Sequence, residues 1–219
     1  MVQSVTGIPS RKQTDSMRGK TDSRPRTKPP EERRSEIMQA ARRLFLEKGV
    51  ASTTIEQITS RAKVAKGTFY LYFSSKEDVL TALSDGYGHE LLEQIKAAIA
   101  KKLDEDWKGK LAAWAVASVS AYLDSIRLHD ILFYGSHHHT RQGLVDNVAI
   151  DHLFDLLQAG AEARAWSVDD ARFTAVFLFS GLHGVVDDAH TREKRINQTR
   201  LANRLERLCF RAVGIGLVQ

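Results

Sequence analysis

The chain has 219 residues and one cysteine, Cys209, which excludes an internal disulfide and fits a reducing compartment. It has no run of about 18 apolar residues, which argues against a membrane span. Its formal net charge of +5 is unevenly spread. Residues 1–76 hold 16 Lys and Arg against 7 Asp and Glu, whereas residues 77–219 hold 16 Lys and Arg against 20 Asp and Glu. This asymmetry suits a polyanionic partner at one end only.

Residues 1–30 are predicted to be a disordered basic tail. They hold all four prolines and seven Lys and Arg against two acidic residues, with almost no large apolar groups to bury. The tail is interpreted either as a plain leader or as a basic arm that enters a DNA minor groove. It lacks the charged-then-apolar order of a secretory signal, and Met17 is an alternative start.

From residue 31 onward the chain has no proline, which predicts an almost wholly helical body. The first helix is predicted over about residues 30–48. Pro30 opens it, Glu31 and Glu32 occupy its first turn, and Gly49 ends it. Its apolar residues recur at helical spacing and should pack on the helices that follow.

Residues 53–80 read as two short helices joined by a tight turn, followed by the start of a long helix. Thr53 and Thr54 each precede Glu or Gln by three residues, which is the spacing of a capping box. The second short helix should turn Val64, Phe69 and Phe73 inward. Its outward face then shows two tyrosines, a lysine, a threonine and a glycine, although a mid-helix glycine costs about 1 kcal/mol relative to alanine. A helix-turn-helix that enters the major groove of DNA explains this pattern.

The run KGTFYLYFSSKEDVL, Lys66–Leu80, preceded by Gly49 and Thr53–Thr54, resembles the DNA-binding head of the TetR family of bacterial transcriptional regulators. The resemblance covers about residues 33–85. It implies an all-α fold, with an N-terminal three-helix helix-turn-helix head over residues 31–78. A larger C-terminal helical body for ligand binding and dimerisation would occupy residues 79–219.

The resemblance also implies which side chains contact DNA. Positions that meet bases or the groove floor match Lys66, Gly67, Tyr70 and Leu71, and positions that hold phosphates match Thr53, Thr54, Thr68, Tyr72 and Lys76. The predicted DNA contacts include two further positions, at which the chain departs from the family. Lys63 stands where glycine is usual and should adopt positive φ, from which it can reach a phosphate. Ala65 stands where serine often caps the helix, and so lacks a side-chain cap worth about 1 kcal/mol.

A long helix from Ser75 to about Lys102 is expected to join head and body, and further helices are predicted around residues 111–126, 150–161, 170–186 and 201–212. Residues 170–213 are interpreted as a homodimer interface of paired helices, as the resemblance also implies. The alternative is that these helices close the monomer's own core. The interface residues expected are Phe177, Gly181, Gly184, Leu201, Leu205 and Leu208.

Aromatic and histidine side chains in the body are interpreted as the lining of an inducer pocket, with ordinary core as the alternative for each. They are Trp114, Tyr122, His129, Phe133, Tyr134, His137, Phe154 and Phe177. No nucleophile motif, phosphate loop or carboxylate pair stands out, so neither an enzyme nor a cofactor or metal is expected. A metal-binding sensor or enzyme that uses His137–His139, or His183 with His190, remains an alternative.

These observations predict a ligand-responsive transcriptional regulator, a repressor that binds a palindromic operator in double-stranded DNA as a homodimer. A small-molecule inducer, whose identity the sequence does not reveal, should release it. The expected location is the cytoplasm, at the nucleoid when bound to DNA. The rival interpretation is an architectural DNA binder without a ligand.

Overall fold

The computed structural model describes residues 28–134 and 147–216. Every regular element in these ranges is helical, which confirms the all-α prediction. The elements are α1 (Pro30–Lys48), α2 (Ile55–Ala62), α3 (Lys66–Tyr70), α4 (Lys76–Ile99), α5 (Trp107–His129), a π-helical turn (Asp130–Tyr134), α6 (Val148–Glu162), α7 (Ala171–Arg192) and α8 (Gln198–Ala212). Most of the predicted tail and His137–His139 lie outside the described residues.

Short side chains at the helix ends set where the helices begin. Asp170 accepts a hydrogen bond from the Phe173 amide at the start of α7, and Asn197 does the same for α8. The structure begins α4 at Lys76, one residue after the predicted start at Ser75. Ser75 is the cap residue and accepts from the Asp78 amide, while the Asp78 carboxylate accepts from the amide and hydroxyl of Ser74.

One hydrophobic core holds the first four helices together. Phe69 and Phe73 are buried in it, and each contributes roughly 1.5–3 kcal/mol by leaving water. A helix as short as α3 is not stable alone, so these two rings fix it in place. The core also includes Val79, Leu83 and Tyr87 of α4, which lie beyond the predicted domain boundary at residue 78. The boundary itself stays a prediction.

A second, larger core fills the body. Its buried apolar side chains come from α4 through α8, and Trp114 of α5 is among its largest members. Trp166, just before α7, donates its indole proton to the Leu157 carbonyl across 2.9 Å. The indole lies so close to α6 that a Cβ at Gly160 would be 2.0 Å from it, so only glycine fits there.

The end of α5 reaches out of the body and into the head. Leu128 and Leu132, from the last turn of α5 and the π-helical turn, are buried in the head's core. Arg127 donates to the Leu46 carbonyl of α1 across 3.4 Å. The two cores therefore meet at this turn, as well as along α4. Within the described ranges, no helix is both long and apolar enough to cross a membrane.

Candidate nucleic-acid interface

The start of α2 is locked by a complete capping box. The Thr54 hydroxyl accepts from the Gln57 amide at 3.3 Å, and the Gln57 side chain accepts from the Thr54 amide at 3.0 Å. Thr53 was predicted to contact a phosphate, but the structure buries it. Its side chain is 1% exposed and donates to the Gly49 carbonyl at 2.8 Å, so it holds the α1–α2 connection together instead.

The turn between α2 and α3 adopts the conformation that the sequence predicts. Lys63 is the C-cap of α2, with φ 55° and ψ 43°, a left-handed conformation that glycine would adopt without strain. Its side chain is exposed. Ala65 is the N-cap of α3 and provides no side-chain hydrogen bond, as expected. The role of Lys63 as a phosphate contact stays a prediction.

The outer face of α3 exposes large apolar and aromatic side chains to solvent. Tyr70 is 51% exposed and Leu71 is 79% exposed, although both follow the fully buried Phe69. Tyr70 packs edge-on against Phe69, with ring centroids 5.4 Å apart, so its hydroxyl is carried outward on a supported ring. Exposed tyrosine and leucine side chains on a rigid helix are typical of a contact surface.

Gly67 lies on the same face and has free space around it. A Cβ built at this position meets nothing within 4 Å. The monomer therefore does not require a glycine here, and the helix would be more stable with alanine. A residue without a side chain at this position allows another molecule to approach the helix backbone closely.

Lys66 of α3 forms an ion pair with an acidic residue of α2. Its Nζ lies 2.5 Å from Glu56 Oε1 of α2. The hydrogen bond from Lys66 lowers the pKa of the Glu56 carboxyl, and the same bond raises the pKa of Lys66. Sequence reasoning missed this pair, because the two residues lie ten positions apart on different helices.

The remaining residues predicted to contact DNA phosphates differ in their exposure to solvent. Thr54 is exposed, whereas Thr68 and Tyr72 are half-buried. Lys76 is also half-buried, and its ammonium donates to the carbonyls of Val50 and Thr53 at 2.8 and 3.1 Å. Lys76 thus ties α4 to the α1–α2 connection. One of its three N–H groups is still unused by these two bonds.

The sequence of these helices matches a known family of regulatory proteins. Residues 37–83, from within α1 to within α4, match the family described as "Bacterial regulatory proteins, tetR family". The resemblance to the TetR family is confirmed. The TetR-type head carries the helix-turn-helix, and the larger helical body follows it, as the predicted fold class states.

Two curated relatives show how far the similarity extends. The transcriptional regulator HbdR of Aromatoleum sp. (strain CIB) is 44% identical over 70 residues, which are 30% of this chain and 31% of that protein. The transcriptional activator FasR of Mycolicibacterium smegmatis is 27% identical over 167 residues, 66% of this chain and 73% of that protein. For the first relatives found, the match spans between 26% and 47% of their own length.

Solved structures extend the likeness in fold to the body. The regulator FadR of Bacillus subtilis, solved in complex with stearoyl-CoA, superposes with a TM-score of 0.66 at 22% identity. The superposition covers 84% of this chain and 99% of that one. The matched family and these relatives are transcriptional regulators rather than enzymes, in agreement with the absence of a catalytic motif in the sequence.

The body brings together only some of the predicted pocket residues. Tyr122, His129 and Phe133 form one aromatic cluster, with ring centroids 4.4 Å apart for the first pair and 4.8 Å for the second. Trp114 and Phe154 instead pack within the body core. Phe177 does not join this cluster, because it is 63% exposed on α7.

Other members of this cluster come from distant parts of the chain. Tyr87 of α4 lies 5.9 Å from Phe133, and Phe179 of α7 lies 4.4 Å from His183, ring centroid to ring centroid. Sequence reasoning had grouped neither Tyr87 nor Phe179 with the pocket residues, because helical spacing does not show which helices face each other. The side chain of Tyr134 and all of His137 lie outside what the structure describes.

The predicted interface residues of α7 and α8 divide into surface and core. Phe177 is exposed, together with its neighbour Phe173, which is 70% exposed and which sequence reasoning missed. Gly181 and Gly184 have open space where a Cβ would stand. Leu208 is exposed and Leu201 half-buried.

Leu205 is a correction to this set. Its side chain is 3% exposed and packs in the body core of its own subunit. Leu205 therefore cannot meet a second copy without unfolding. The apolar surface defined by Phe173, Phe177 and Leu208 is called the α7–α8 face below.

The histidine-based metal alternative finds no support in residues 28–134 and 147–216. Within these ranges no three His, Cys, Asp or Glu side chains are grouped so that they could hold a metal ion. His183 instead uses Nδ1 to donate to the Phe179 carbonyl at 2.9 Å. His137–His139 lie outside these ranges.

Proposed function

We propose that the protein is a DNA-binding transcriptional regulator that responds to a small molecule. The observation that carries the proposal is the outward face of α3. Tyr70 and Leu71 are exposed there, and Gly67 leaves room for close approach, on a helix that the rings of Phe69 and Phe73 anchor from behind. A helix of this kind can lie in a major groove without rearrangement of the head.

The operator is proposed to be a palindrome read by two copies of the chain. One helix-turn-helix contacts too few base pairs for tight specific binding, and two copies read half-sites about 34–36 Å apart. The α7–α8 face supports this proposal, because Phe173 and Phe177 would be covered there by the same face of a second copy. Open space at Gly181 and Gly184 lets two helices approach closely.

The body is proposed to bind an inducer near the aromatic cluster at the end of α5. This position is close to the head, because Leu128 and Leu132 of the same segment pack in the head's core. FadR of Bacillus subtilis, which has the same fold, was solved with stearoyl-CoA, so ligand binding in such a body has a precedent. An inducer shifts the balance of two states by its difference in affinity for them.

The direct test is operator binding by the purified full-length chain. DNA that flanks the coding region is searched for a palindrome that the protein protects from nuclease. Affinity for that palindrome is then measured by fluorescence anisotropy for the wild type, Tyr70→Ala and a matched surface variant, Leu103→Ala, which removes an exposed side chain far along the sequence from the head.

We expect Tyr70→Ala to lose at least about tenfold in affinity, and Leu103→Ala to bind like the wild type. Protection of no palindrome, or equal affinity for all three proteins, would contradict the proposed role of α3.

Release of the bound operator in a screen of lipophilic compounds tests the ligand response. A complete failure of that screen would favour an architectural DNA binder.

A further inference from the structure

The connection between α7 and α8 carries a concentration of positive charge. Residues 192–200 hold four Lys and Arg against one Glu, although residues 77–219 as a whole hold 16 Lys and Arg against 20 Asp and Glu. The four basic residues, Arg192, Lys194, Arg195 and Arg200, are all exposed. We call residues 192–197, which end α7 and precede α8, the basic tip.

Most of this charge is not neutralised within the subunit. Arg192 Nε pairs with Asp188 Oδ1, one helical turn earlier, at 2.6 Å. Lys194, Arg195 and Arg200 form no ion pair with any residue in the ranges that the structure describes. Cations that are close in sequence and have no carboxylate partner raise the local positive potential, which attracts an anion from another molecule.

Contacts at one end of the body show where the basic tip does not lie. The start of α5 meets the end of α8 there, since Lys108 Nζ lies 5.2 Å from the ring centroid of Phe210. The start of α7 joins them, because the amide of Ser167, just before α7, donates to the Val213 carbonyl at 3.3 Å. The basic tip joins the end of α7 to the start of α8, so it lies at the opposite end of the body.

The end of the body that holds the basic tip adjoins the head. Five residues before the tip, Asp187 Oδ1 of α7 accepts a hydrogen bond from the Tyr122 hydroxyl of α5 at 2.7 Å. From Tyr122, α5 continues to Leu128 and then to Leu132, and both leucines are buried in the head's core. The second half of α7 therefore runs beside the part of α5 that enters the head. The basic tip follows on the same, head-facing side of the body.

The proposed dimer brings two basic tips together. Phe177, Gly184 and Asp188 are exposed and recur at helical spacing, so the side of α7 that faces a second copy continues almost to the tip. The tips of both copies therefore lie beside the twofold axis of the dimer. The centre of a palindromic operator lies on the same axis. On the head-facing side of the body, the two tips thus lie over the central base pairs.

We propose that the two basic tips form a second DNA-binding site, which contacts phosphates at the centre of the operator, between the half-sites bound by α3. This inference rests on the DNA-binding function and the dimer proposed above. Arg and Lys bind phosphate oxygens by charge-assisted hydrogen bonds, and Arg does so through two parallel N–H groups. Such contacts carry no base sequence information, but they add affinity that depends on salt. The heads select the sequence, and the tips strengthen binding.

The salt dependence of operator affinity tests this site in the full-length chain. The double variant Lys194→Gln with Arg195→Gln removes two exposed charges per subunit. We expect it to lose about tenfold in affinity, with a slope of log affinity against log salt that is shallower by about two to four. The matched control is Lys101→Gln with Lys102→Gln, which removes the same charge just before α5, and it should keep the wild-type slope. Equal slopes in all three proteins would overturn the second site.

Uncharged phosphates locate the contact on the DNA. A second duplex has the operator sequence but carries methylphosphonates at its central base pairs. The wild type should bind this duplex about tenfold more weakly than the natural one. The Lys194→Gln, Arg195→Gln double variant should bind both duplexes almost equally, because the two changes remove the same contacts. An equal loss in the wild type and the double variant would show that the tips do not contact these phosphates.

The outcomes separate this inference from the proposed function. If the wild type protects a palindrome and the double variant binds both duplexes as the wild type does, the second site is refuted and the function stands. If the wild type protects no palindrome, both are refuted. Sedimentation velocity should show that the double variant remains a dimer. If it is a monomer, its loss of affinity belongs to dimerisation, and the second site is again refuted.

Discussion

Lys66 and Glu56 form an ion pair across the turn that joins α2 and α3, with 2.5 Å between Nζ and Oε1. Lys66 is a predicted base contact, so the pair must open before Lys66 can reach DNA. The hydrogen bond from Lys66 lowers the pKa of Glu56 below its ordinary value. The contribution of this pair is therefore present above that ordinary value, and it is lost only as pH falls through the lowered one.

Glu56→Gln should raise operator affinity by about twofold to fivefold, because it frees Lys66 and removes a negative charge near the phosphates. Anisotropy titrations near pH 7.5 measure the change. The matched control is Glu47→Gln, which breaks the exposed pair with Arg61 in the same head and removes the same charge. If both variants gain equally, the effect is one of head charge and not of releasing Lys66.

Gly67→Ala should separate the stability of the head from its binding of DNA. The new methyl group meets open space in the free protein, so the free energy of unfolding should stay the same or rise by up to about 1 kcal/mol. The midpoint of thermal unfolding measures this change. Operator affinity should fall at least about tenfold, since the methyl would stand between α3 and the groove floor. Gly86→Ala, an equally open position in α4, should leave affinity unchanged. Normal operator binding by Gly67→Ala would remove the argument for close approach.

Lys76→Ala should act on stability and on DNA binding together. The Val50 and Thr53 carbonyls lose their charged donor, which should cost roughly 1–2 kcal/mol in the free energy of unfolding. The unused N–H group of Lys76 is predicted to reach a phosphate, so the slope of log affinity against log salt should become shallower by about one. Lys101→Ala changes an exposed lysine outside the head and should alter neither quantity. An unchanged slope would limit Lys76 to a structural role.

Phe177→Glu should convert the proposed dimer into a folded monomer. A carboxylate on the α7–α8 face would lose its hydration on association, whereas on the free surface it stays hydrated. Sedimentation velocity measures the change, and Leu103→Glu, at an exposed leucine outside this face, should remain a dimer. Leu205→Glu should instead unfold the body, because Leu205 is buried in its own subunit. A persistent Phe177→Glu dimer would place the interface elsewhere.

Cys209 should be unreactive in the folded protein. Burial raises the pKa of its thiol to about 12, so almost no thiolate is present at neutral pH. Because the folded value lies above the ordinary one of 9.0, the contribution to stability is present below pH 9.0 and is lost as pH rises toward 12. Modification by an aromatic disulfide reagent should be slow at pH 8 and fast after denaturation. Rapid reaction of the native protein would contradict the burial of this thiol in the body core.

Several features of the head follow from local sequence alone, because the interactions that produce them join near neighbours. The first helix has the predicted bounds, since Pro30 opens it and Gly49 ends it. The Thr54 capping box and the left-handed Lys63 also need only residues within a few positions. The long helix begins at Lys76, one residue after the predicted Ser75, because Ser75 is its N-cap and accepts from the Asp78 amide.

The sequence by itself determined that the chain is helical, that the first helix runs from Pro30 to Lys48 and that Lys63 adopts positive φ at the turn between α2 and α3. Only the tertiary structure decided which way individual side chains face. It turned Thr53 inward, buried Leu205 and left Phe177 exposed. It also joined Tyr122 to Asp187, which lie 65 residues apart. Helical spacing defines the faces of each helix, but the face that is covered depends on a partner supplied by a distant part of the chain.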